Sequence, residues 1–279
     1  MILIADSGST KTDWSLCESG KLLQSISTKG INPFYQSSEE ILQAVSTELI
    51  PNIENPQLIK DVFFYGAGCL YPDKNQSIKD AFMPFIPDAS FEIKSDLYAA
   101  CHALLGRESG VACILGTGSN SCLYDGKEIK QHVSPLGFIL GDEGGGAHLG
   151  KLLVSDFLKN QLPDELKKLF FEEFQTSVSE IMENVYRRPF PNRYLASLSR
   201  FLSNHIEEPE CYNIVHHSFT QFFERNIMQY DISDDMPVNF VGSVAYYYSE
   251  ILERVASEFG LWIDKIEKSP MSGLITYHI

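Results

Sequence analysis

The chain has 279 residues, which is enough for two domains of ordinary size. Hydrophobic residues make up 44% and charged residues 21%, a composition that is typical of folded globular proteins and excludes a disordered chain. With 37 Asp and Glu against 22 Lys and Arg, the net charge of −15 excludes a protein that binds nucleic acid through clustered basic residues.

The sequence predicts neither a targeting signal nor a membrane span. The first apolar run gives way to polar residues at Asp6, too early for a signal-peptide core. No apolar run approaches the roughly 20 residues of a transmembrane helix. The six cysteines and seven histidines show no spacing typical of metal ligands. We therefore expect a cytoplasmic protein with reduced cysteines, no membrane partner and no nucleic-acid partner.

In chain order, the first half alternates short apolar runs with amphipathic segments. The apolar runs predict strands, and residues 37–40 form a capping box ahead of a helix. Strands are expected at 2–5, 14–16, 21–23, 61–65 and 91–93, and helices at 37–49, 74–83 and 95–106. The first three strands follow one another through tight turns, which is typical of an antiparallel meander.

The second half begins with the same pattern. A strand at 111–115, a polar turn at 116–120, a strand at 121–124 and a hairpin turn at 125–126 repeat the order of residues 2–23. The remainder predicts helices at 144–160, 164–174, 177–187, 191–206, 212–230 and 243–259, and a strand at 238–241. We predict an α/β fold of two duplicated lobes, residues 1–107 and 108–279, with an interlobe cleft and with helices that enlarge the second lobe.

The turn after the first strand carries residues that suit phosphate. Gly8 allows positive φ or a close approach to the backbone, and Ser9, Thr10 and Thr12 add hydroxyl groups to the turn amides. Asp6, at the carboxyl end of a buried strand, has the chemistry to hold a hydrated Mg²⁺. An ordinary hairpin turn is the alternative, and the Walker A pattern is absent.

Three later segments have related chemistry. The turn at 116–120 repeats the first turn at the equivalent place in the second half, and two such turns favour a ligand in the cleft over two ordinary hairpins. The glycine-rich loop at 141–146 precedes a helix whose first amides favour anions. Within it, Asp142 suits a sugar hydroxyl or is simply a helix cap. Gly242 and Ser243 form a strand–helix junction, which is a weak signal alone.

Asp96 is the candidate general base. It stands where the strand at 91–93 passes into a helix, and a carboxylate aimed into a cleft can take a proton from a substrate hydroxyl. A helix cap explains the same residue equally well without further context.

Together these segments resemble the motifs of the sugar kinase/Hsp70/actin superfamily, and most closely those of the N-acetylglucosamine kinase branch of the BadF/BadG/BcrA/BcrD-type ATPase family. The resemblance covers nearly the whole chain and preserves the order of the motifs. The two phosphate motifs resemble 5–12 and 116–120, the adenosine motif 241–245, and the Gly-Asp-Glu-Gly sugar loop 141–144. The catalytic aspartate of the family matches Asp96, and its sugar-binding asparagine matches Asn32.

The resemblance implies two ribonuclease H-like, actin-like ATPase lobes and an ATP- and Mg²⁺-dependent kinase. Its substrate would be a small-molecule amino sugar, N-acetylglucosamine, phosphorylated at carbon 6, and the assembly a homodimer. Asp96 would be catalytic, and Asp6 would bind the metal. The ATP-binding residues implied are Asp6, Gly8, Ser9, Thr10, Lys11, Thr12, Gly116, Thr117, Gly118, Ser119, Gly242 and Ser243. The sugar-binding residues implied are Asn32, Asp96, Asn120, Asp142 and Glu143.

Three alternatives stay open. N-acetylmuramic acid, which adds a lactyl ether at carbon 3, is the rival substrate within the kinase interpretation. An activator ATPase that drives electrons into a partner reductase is the second, although Cys113 lies in an apolar strand with no second cluster ligand after it. The third is a relative that binds ATP without catalysis, which the presence of Asp96 disfavours.

Overall fold

A computed structural model of the chain describes residues 1–8, 10–69, 72–233 and 235–279. It contains two compact units. The first unit comprises Met1–Arg107 together with Ser269–Ile279, and the second comprises Glu108–Lys268.

The strands, in chain order, are β1 (Ile2–Ser7), β2 (Lys11–Glu18), β3 (Lys21–Lys29), β4 (Asp61–Gly66), β5 (Ser90–Ser95), β6 (Ser109–Leu115), β7 (Ser119–Asp125), β8 (Ile129–His132), β9 (Val238–Val241) and β10 (Ile263–Glu267). The α-helices of the first half are α1 (Ser38–Ala44), α2 (Pro72–Phe82) and α3 (Asp96–Leu104). A π-helix (Val45–Leu49) and two 3₁₀ turns (Ile50–Asn52 and Pro56–Leu58) follow α1.

The second half carries most of the helices. They are α4 (Gly137–Leu140), α5 (Gly146–Leu158), α6 (Asp164–Phe174), α7 (Val178–Tyr186), α8 (Pro191–Leu198), α9 (Arg200–Asn204), α10 (Pro209–Arg225), α11 (Ser243–Tyr247), α12 (Ser249–Glu258) and α13 (Met271–His278), with a 3₁₀ turn at Ile227–Gln229. The helices α4–α10 all lie between β8 and β9, as expected for a lobe enlarged by helices.

Each unit is built on a five-stranded mixed sheet within the described residues. The first sheet has the order β3-β2-β1-β4-β5, and the second, read from its opposite edge, has the order β8-β7-β6-β9-β10. In both, the first three strands pair antiparallel and the last two pairings are parallel. Equal order with equal direction confirms the predicted α/β fold of two lobes with one repeated design.

Side chains alternate between the two faces of the sheet along β1, and those on each face pack in a different core. Leu3 and Ala5 pack with Trp14 and with residues of α1 and α2, whereas Ile4 on the opposite face packs with Leu274 of α13 and with α3. The second unit has one large core, in which side chains of α5–α10 and α12 pack against β6 and β9. Because both faces of each sheet are covered, the central strands β1 and β6 carry nearly continuous apolar runs.

The sequence-based division placed residues 108–279 in one domain, but in the structure the C-terminal segment belongs to the first unit. α13 packs in the first unit, where Leu274 is fully buried. Gly273 makes this packing close, since a Cβ there would lie 2.2 Å from the carbonyl oxygen of Ala103 in α3. Neither α13 nor β10 was predicted.

All six cysteines are free thiols and are buried, in line with their apolar surroundings in the sequence. Among the described helices, none combines the length and the apolar character that crossing a membrane requires.

Candidate active site

The turn between β1 and β2 is short and tied to its neighbours. The Gly8 N–H donates to the Lys11 carbonyl (3.0 Å), and the Thr10 carbonyl accepts from the Gly30 N–H (3.1 Å). Gly8 does not adopt positive φ, and a Cβ there would meet only the Lys11 carbonyl at 3.7 Å. The space above Gly8, rather than its conformation, is therefore what a ligand would use. Ser9 lies outside the described residues.

Thr12 is predicted to bind ATP, but its side chain is fully buried. Its hydroxyl lies 2.6 Å from the Ser7 hydroxyl, and both oxygens accept the Ile31 N–H. One of the two hydroxyl groups donates to the other, and the Ile31 and Lys29 carbonyls are the further acceptors within reach of Ser7 and Thr12 respectively. These contacts join β1 and β2 to the segment that begins at Gly30, so Thr12 holds the entry to Asn32 in place.

Asp6 and Asp96 interact electrostatically. Burial is the main cause that raises the pKa of Asp6 to about 7, and the charges of Asp96 and Asp13 add to it, while Lys11 opposes it. Burial also raises the pKa of Asp96, against the lowering effect of a hydrogen bond from the Leu97 N–H at 3.0 Å. Lys11 is exposed and forms an ion pair with Asp13 at 2.7 Å. The carboxyl groups of Asp6 and Asp96 thus form an electron-rich site that a cation would stabilise.

Asn32 is fixed by its own turn. Its Oδ1 accepts the Phe34 N–H at 2.9 Å, and its backbone N–H donates to Gln36 Oε1 at 2.6 Å. Gly68 has φ +86°, and a Cβ there would lie 2.2 Å from Asn32 Oδ1, so only glycine fits beside this side chain. With Oδ1 committed to Phe34, the Nδ2 group of Asn32 is the donor left for a ligand.

In the second unit, the turn between β6 and β7 is joined to the loop before α5. The Gly146 and Ala147 N–H groups donate to the Gly116 and Thr117 carbonyls, both at 2.8 Å. A Cβ at Gly145 would lie 2.7 Å from the carbonyl carbon of Gly118. The sequence suggested that these first amides of α5 face an anion, but the structure commits two of them to the turn. The loop therefore supports the turn.

Asp142 lies against the same turn. It has φ +57° in the left-handed region, and a Cβ at Gly118 would be 2.7 Å from its Oδ2. Burial is the main cause that raises the pKa of Asp142 to about 6; the Glu143 charge raises it further, while the Ser119 N–H and Lys151 lower it. The N-cap of α5 is Gly145, so Asp142 does not serve as the helix cap.

Glu143 is buried, and its Oε1 lies 2.8 Å from Nε of Arg225. Arg225 was not anticipated from the sequence, because an exposed arginine at the end of α10 carries no local signal of its partner. Asn120, predicted to bind sugar, uses its Oδ1 within the protein, where it accepts from its neighbour's backbone N–H at 3.0 Å and lies 2.8 Å from His132 Nε2.

Gly242 ends β9 and contacts the end of β6. It has φ +126°, and a Cβ there would lie 2.2 Å from the Leu115 carbonyl oxygen, immediately before Gly116. Ser243 begins α11 and is exposed. The structure thus brings together three predicted segments of the second unit: the turn at 116–118, the loop at 142–146 and the junction at 242–243. In the first unit it brings together Asp6, Asp96 and the segment around Asn32.

No group of three or more His, Cys, Asp or Glu side chains in residues 1–8, 10–69, 72–233 and 235–279 is arranged to hold a metal ion. Mg²⁺, however, usually keeps several waters and binds through one or two carboxylates together with substrate phosphates. The carboxylate of Asp6, with Asp96 beside it, fits that mode of binding.

No protein-family model matches the chain, and no curated protein matches it. Solved structures do. One from Porphyromonas gingivalis, described as a "putative N-acetylglucosamine kinase", is 48% identical over 100% of this chain and 98% of its own, with a TM-score of 0.96. A second structure with that description, from Chromobacterium violaceum, is 18% identical over 99% and 98%, with a TM-score of 0.74. A ROK family glucokinase from Streptomyces griseus, in complex with glucose and AMPPNP, is 13% identical over 99% and 97%, with a TM-score of 0.57. The last two show a common fold.

Proposed function

The chain belongs to the sugar kinase superfamily, in one family with the Porphyromonas gingivalis protein, and on that premise we propose that it is an ATP-dependent kinase of an amino sugar. N-acetylglucosamine is the proposed substrate, and the 6-phosphate is the proposed product. The BadF/BadG/BcrA/BcrD-type family, in its N-acetylglucosamine kinase branch, is the proposed finer assignment. The observation that carries the proposal is the pair of half-buried carboxyl groups at Asp6 and Asp96, with raised pKa values, at the ends of β1 and β5.

Asp96 acts as the general base in this mechanism. It takes the proton of the sugar 6-hydroxyl as the oxygen attacks the γ-phosphorus of ATP, and ADP leaves. A raised pKa suits this role, because a stronger base accepts the proton more readily near neutral pH. Phosphoryl transfer depends chiefly on positioning and on charge neutralisation, so the remaining residues act by holding the two substrates.

The phosphates would be held by backbone amides and hydroxyl groups at the two turns. Gly8 and Gly116 leave open space above the chain, and Thr10 and Lys11 are exposed beside Gly8. Thr12 contributes indirectly, because its buried hydroxyl supports the segment that leads to Asn32. Gly242 and Ser243 are proposed to face the adenosine moiety.

Asp6 would hold Mg²⁺ through water molecules or directly. The ion, when bound, supplies positive charge to the ATP phosphates. Asp6 itself orients that charge, and when no cation is present its burial first and the charge of Asp96 second raise its pKa.

The sugar would be bound by hydrogen-bond donors and acceptors from both halves of the sequence. Asn32 offers its Nδ2 group, while Asp142 and Glu143 offer carboxylate oxygens. Asn120 has less to offer, since its Oδ1 is already occupied. The choice between N-acetylglucosamine and N-acetylmuramic acid depends on room for a lactyl group at carbon 3.

An activator ATPase is the less favoured function. Cys113, the cysteine nearest the second turn, is fully buried, and burial raises the pKa of its thiol well above the ordinary value. A cluster ligand must be a thiolate, so Cys113 is poorly placed for that chemistry.

The test is ADP release from Mg²⁺-ATP over a panel of N-acetylglucosamine, N-acetylmuramic acid, N-acetylmannosamine and glucose. We expect release that depends on N-acetylglucosamine and a product that carries phosphate at carbon 6. Release that depends on N-acetylmuramic acid alone would move the proposal to that substrate. Hydrolysis of ATP without any sugar would reject the kinase in favour of the ATPase. A homodimer is the proposed assembly, and light scattering of the eluting protein would measure it.

A further inference from the structure

Helix α10 holds the loop that contains Glu143 at three points. Ser218, Phe222 and Arg225 lie on one face of the helix, because residues four and seven positions apart stack above one another. The Gly144 N–H donates to Ser218 Oγ at 3.1 Å, and a Cβ at Gly144 would be 3.1 Å from Phe222 Cβ. Arg225 reaches Glu143 at the end of this row. One helix face therefore fixes both the backbone and the carboxylate of the loop.

The Ser218 contact is part of a buried hydrogen-bond chain. Ser218 Oγ accepts the Gly144 N–H, and it lies 2.8 Å from His148 Nδ1. Because Ser218 Oγ accepts the Gly144 N–H, its own proton can go to Nδ1, which makes His148 a neutral imidazole with its proton on Nε2. Burial is the main cause that lowers the pKa of His148 to about 4, consistent with that form. The loop backbone thus has a rigid anchor.

The Glu143 carboxylate is held differently, by charge. Its side chain is 10% exposed, so it has lost most of its water, and Arg225 Nε lies 2.8 Å from Oε1 as its ion-pair partner. No donor in the described part of the chain contacts Oε2. Glu143 and Arg225 line a cavity of about 330 Å³ together with Ser134 and Asn226. The ion pair therefore faces open space with one carboxylate oxygen uncommitted.

We propose that Arg225 is a positioning residue for the sugar: it holds the Glu143 side chain so that Oε2 accepts a hydrogen bond from a sugar hydroxyl in this cavity. The inference rests on the proposed kinase function and adds to it a residue that does not itself touch the substrate. Loss of Arg225 would leave a buried carboxylate without its ion-pair partner and free to turn.

The test compares R225Q with R254Q. Arg254 is a matched control, since it also lies in the second unit, is exposed to a similar degree and pairs with an exposed carboxylate, Glu258, at 3.6 Å. In R225Q, we expect the KM for N-acetylglucosamine to rise about tenfold or more, with the KM for ATP and the kcat within about twofold of wild type. R254Q should match wild type in all three constants. R225K should recover much of the lost sugar affinity, because the ammonium group restores the charge.

The double variant E143Q/R225Q separates positioning from a general loss of structure. If Arg225 acts through Glu143, the KM for sugar in the double variant should equal that of E143Q rather than the product of the two effects. Additive effects, an unchanged KM in R225Q, or a fall in kcat with KM unchanged would each overturn the inference. Wild-type protein that releases no ADP with any sugar would reject the kinase itself, and the role of Arg225 with it.

Discussion

At the scale of single residues, Asp96 combines a half-buried carboxyl group of raised pKa with a place at the start of α3, where it accepts the backbone N–H of Leu97. Replacement by asparagine keeps the size and the hydrogen bond but removes the base. We expect D96N to lower kcat about 10²–10⁴-fold, the usual contribution of a general base, with the KM for sugar nearly unchanged. Steady-state ADP release measures both constants.

The control for D96N is D88N, which replaces an exposed aspartate of the same unit. D88N should retain wild-type turnover. Wild-type turnover in D96N would remove Asp96 from the catalytic role.

Replacing Asp6 by asparagine should have opposite effects on the stability of the free protein and on ligand binding. A carboxyl group whose folded pKa is raised to about 7 stabilises the fold when protonated, and this contribution is lost as the pH rises through 7. D6N mimics the protonated form. Without ligand, D6N should therefore melt at a higher temperature than wild type at pH 8.5, and the difference should be clearly smaller at pH 5.

Ligand binding should reverse that order. Wild type should gain thermal stability with Mg²⁺-ATP, whereas D6N should gain much less, because the cation loses its carboxylate. Thermal melts of wild type, D6N and D88N at both pH values measure the effect. A D6N protein that is less stable than wild type at pH 8.5 without ligand would contradict the prediction.

Asp6 and Asp96 stand where strands end, so both can be recognised from neighbouring residues, whereas Asn32 was implied by the family resemblance alone. Gly68 and Arg225 become meaningful only through partners far away in the sequence, Asn32 and Glu143. Pattern and spacing cannot supply such pairs.

At the scale of elements, the junction from β9 to α11 depends on Gly242. Its φ of +126° and ψ of 158° lie in a region that is essentially restricted to glycine, and a Cβ would collide with the Leu115 carbonyl oxygen. We expect G242A to lower the free energy of unfolding by more than about 3 kcal/mol. Urea denaturation measures this change.

Gly260 is the matched control for Gly242. It also has positive φ, +71°, but a Cβ there would meet no atom within 4 Å. G260A should therefore cost only about 1–2 kcal/mol, the penalty of the left-handed conformation alone. Equal losses in G242A and G260A would show that the contact with Leu115 contributes nothing.

Helices were predicted more accurately where their patterns are uninterrupted. The expected helix at 164–174 coincides with α6, whereas those at 191–206 and 243–259 are each broken, at Ser199 and at Tyr248. These two residues meet, since the Tyr248 hydroxyl donates to the Ser199 carbonyl at 2.8 Å. The two breaks therefore lie at one contact between elements distant in the sequence. α13 escaped prediction because Gly273, a poor helix former, is required by the close packing against α3.

At the scale of the whole molecule, the repeated strand–turn–strand pattern was enough to predict the two-lobe fold. The pattern recurs because the central strands β1 and β6 are each buried on both faces and each end in a polar turn. The elements of the C-terminal segment could not be predicted from the sequence, because they lack such a pattern. β10 is a short edge strand with alternating charged residues, and α13 belongs to the first unit only through buried contacts such as those of Leu274.

Two buried histidines, His102 and His148, and the half-buried His278 make the stability of the chain depend on pH. Burial is the main cause that lowers the pKa of His102 to about 3 and those of His148 and His278 to about 4. In an unfolded chain a histidine has a pKa of about 6.5. Below that pH the unfolded state binds more protons, so the contribution of these residues is complete above pH 6.5 and is lost as the pH falls toward 4.

His278 allows this effect to be measured. It lies on α13, with its ring stacked on Phe63 at 3.7 Å and its Nε2 atom 2.8 Å from the Tyr65 hydroxyl. H278N should be less stable than wild type at pH 7.5, because both contacts are lost. Between pH 6.5 and 5 the gap should narrow by up to about 1.4 kcal/mol per pH unit, because the variant no longer carries this proton-binding group.

The comparison between two variants isolates the histidine from the carboxyl groups. Asp6 and Asp142, with raised pKa values, have the opposite pH dependence, but they are present in both proteins and cancel in the difference. H217N, which replaces an exposed histidine, should follow wild type at every pH. If the gap between H278N and wild type is the same at pH 7.5 and pH 5, protonation of His278 does not contribute to acid unfolding, and the tail is held by its apolar contacts alone.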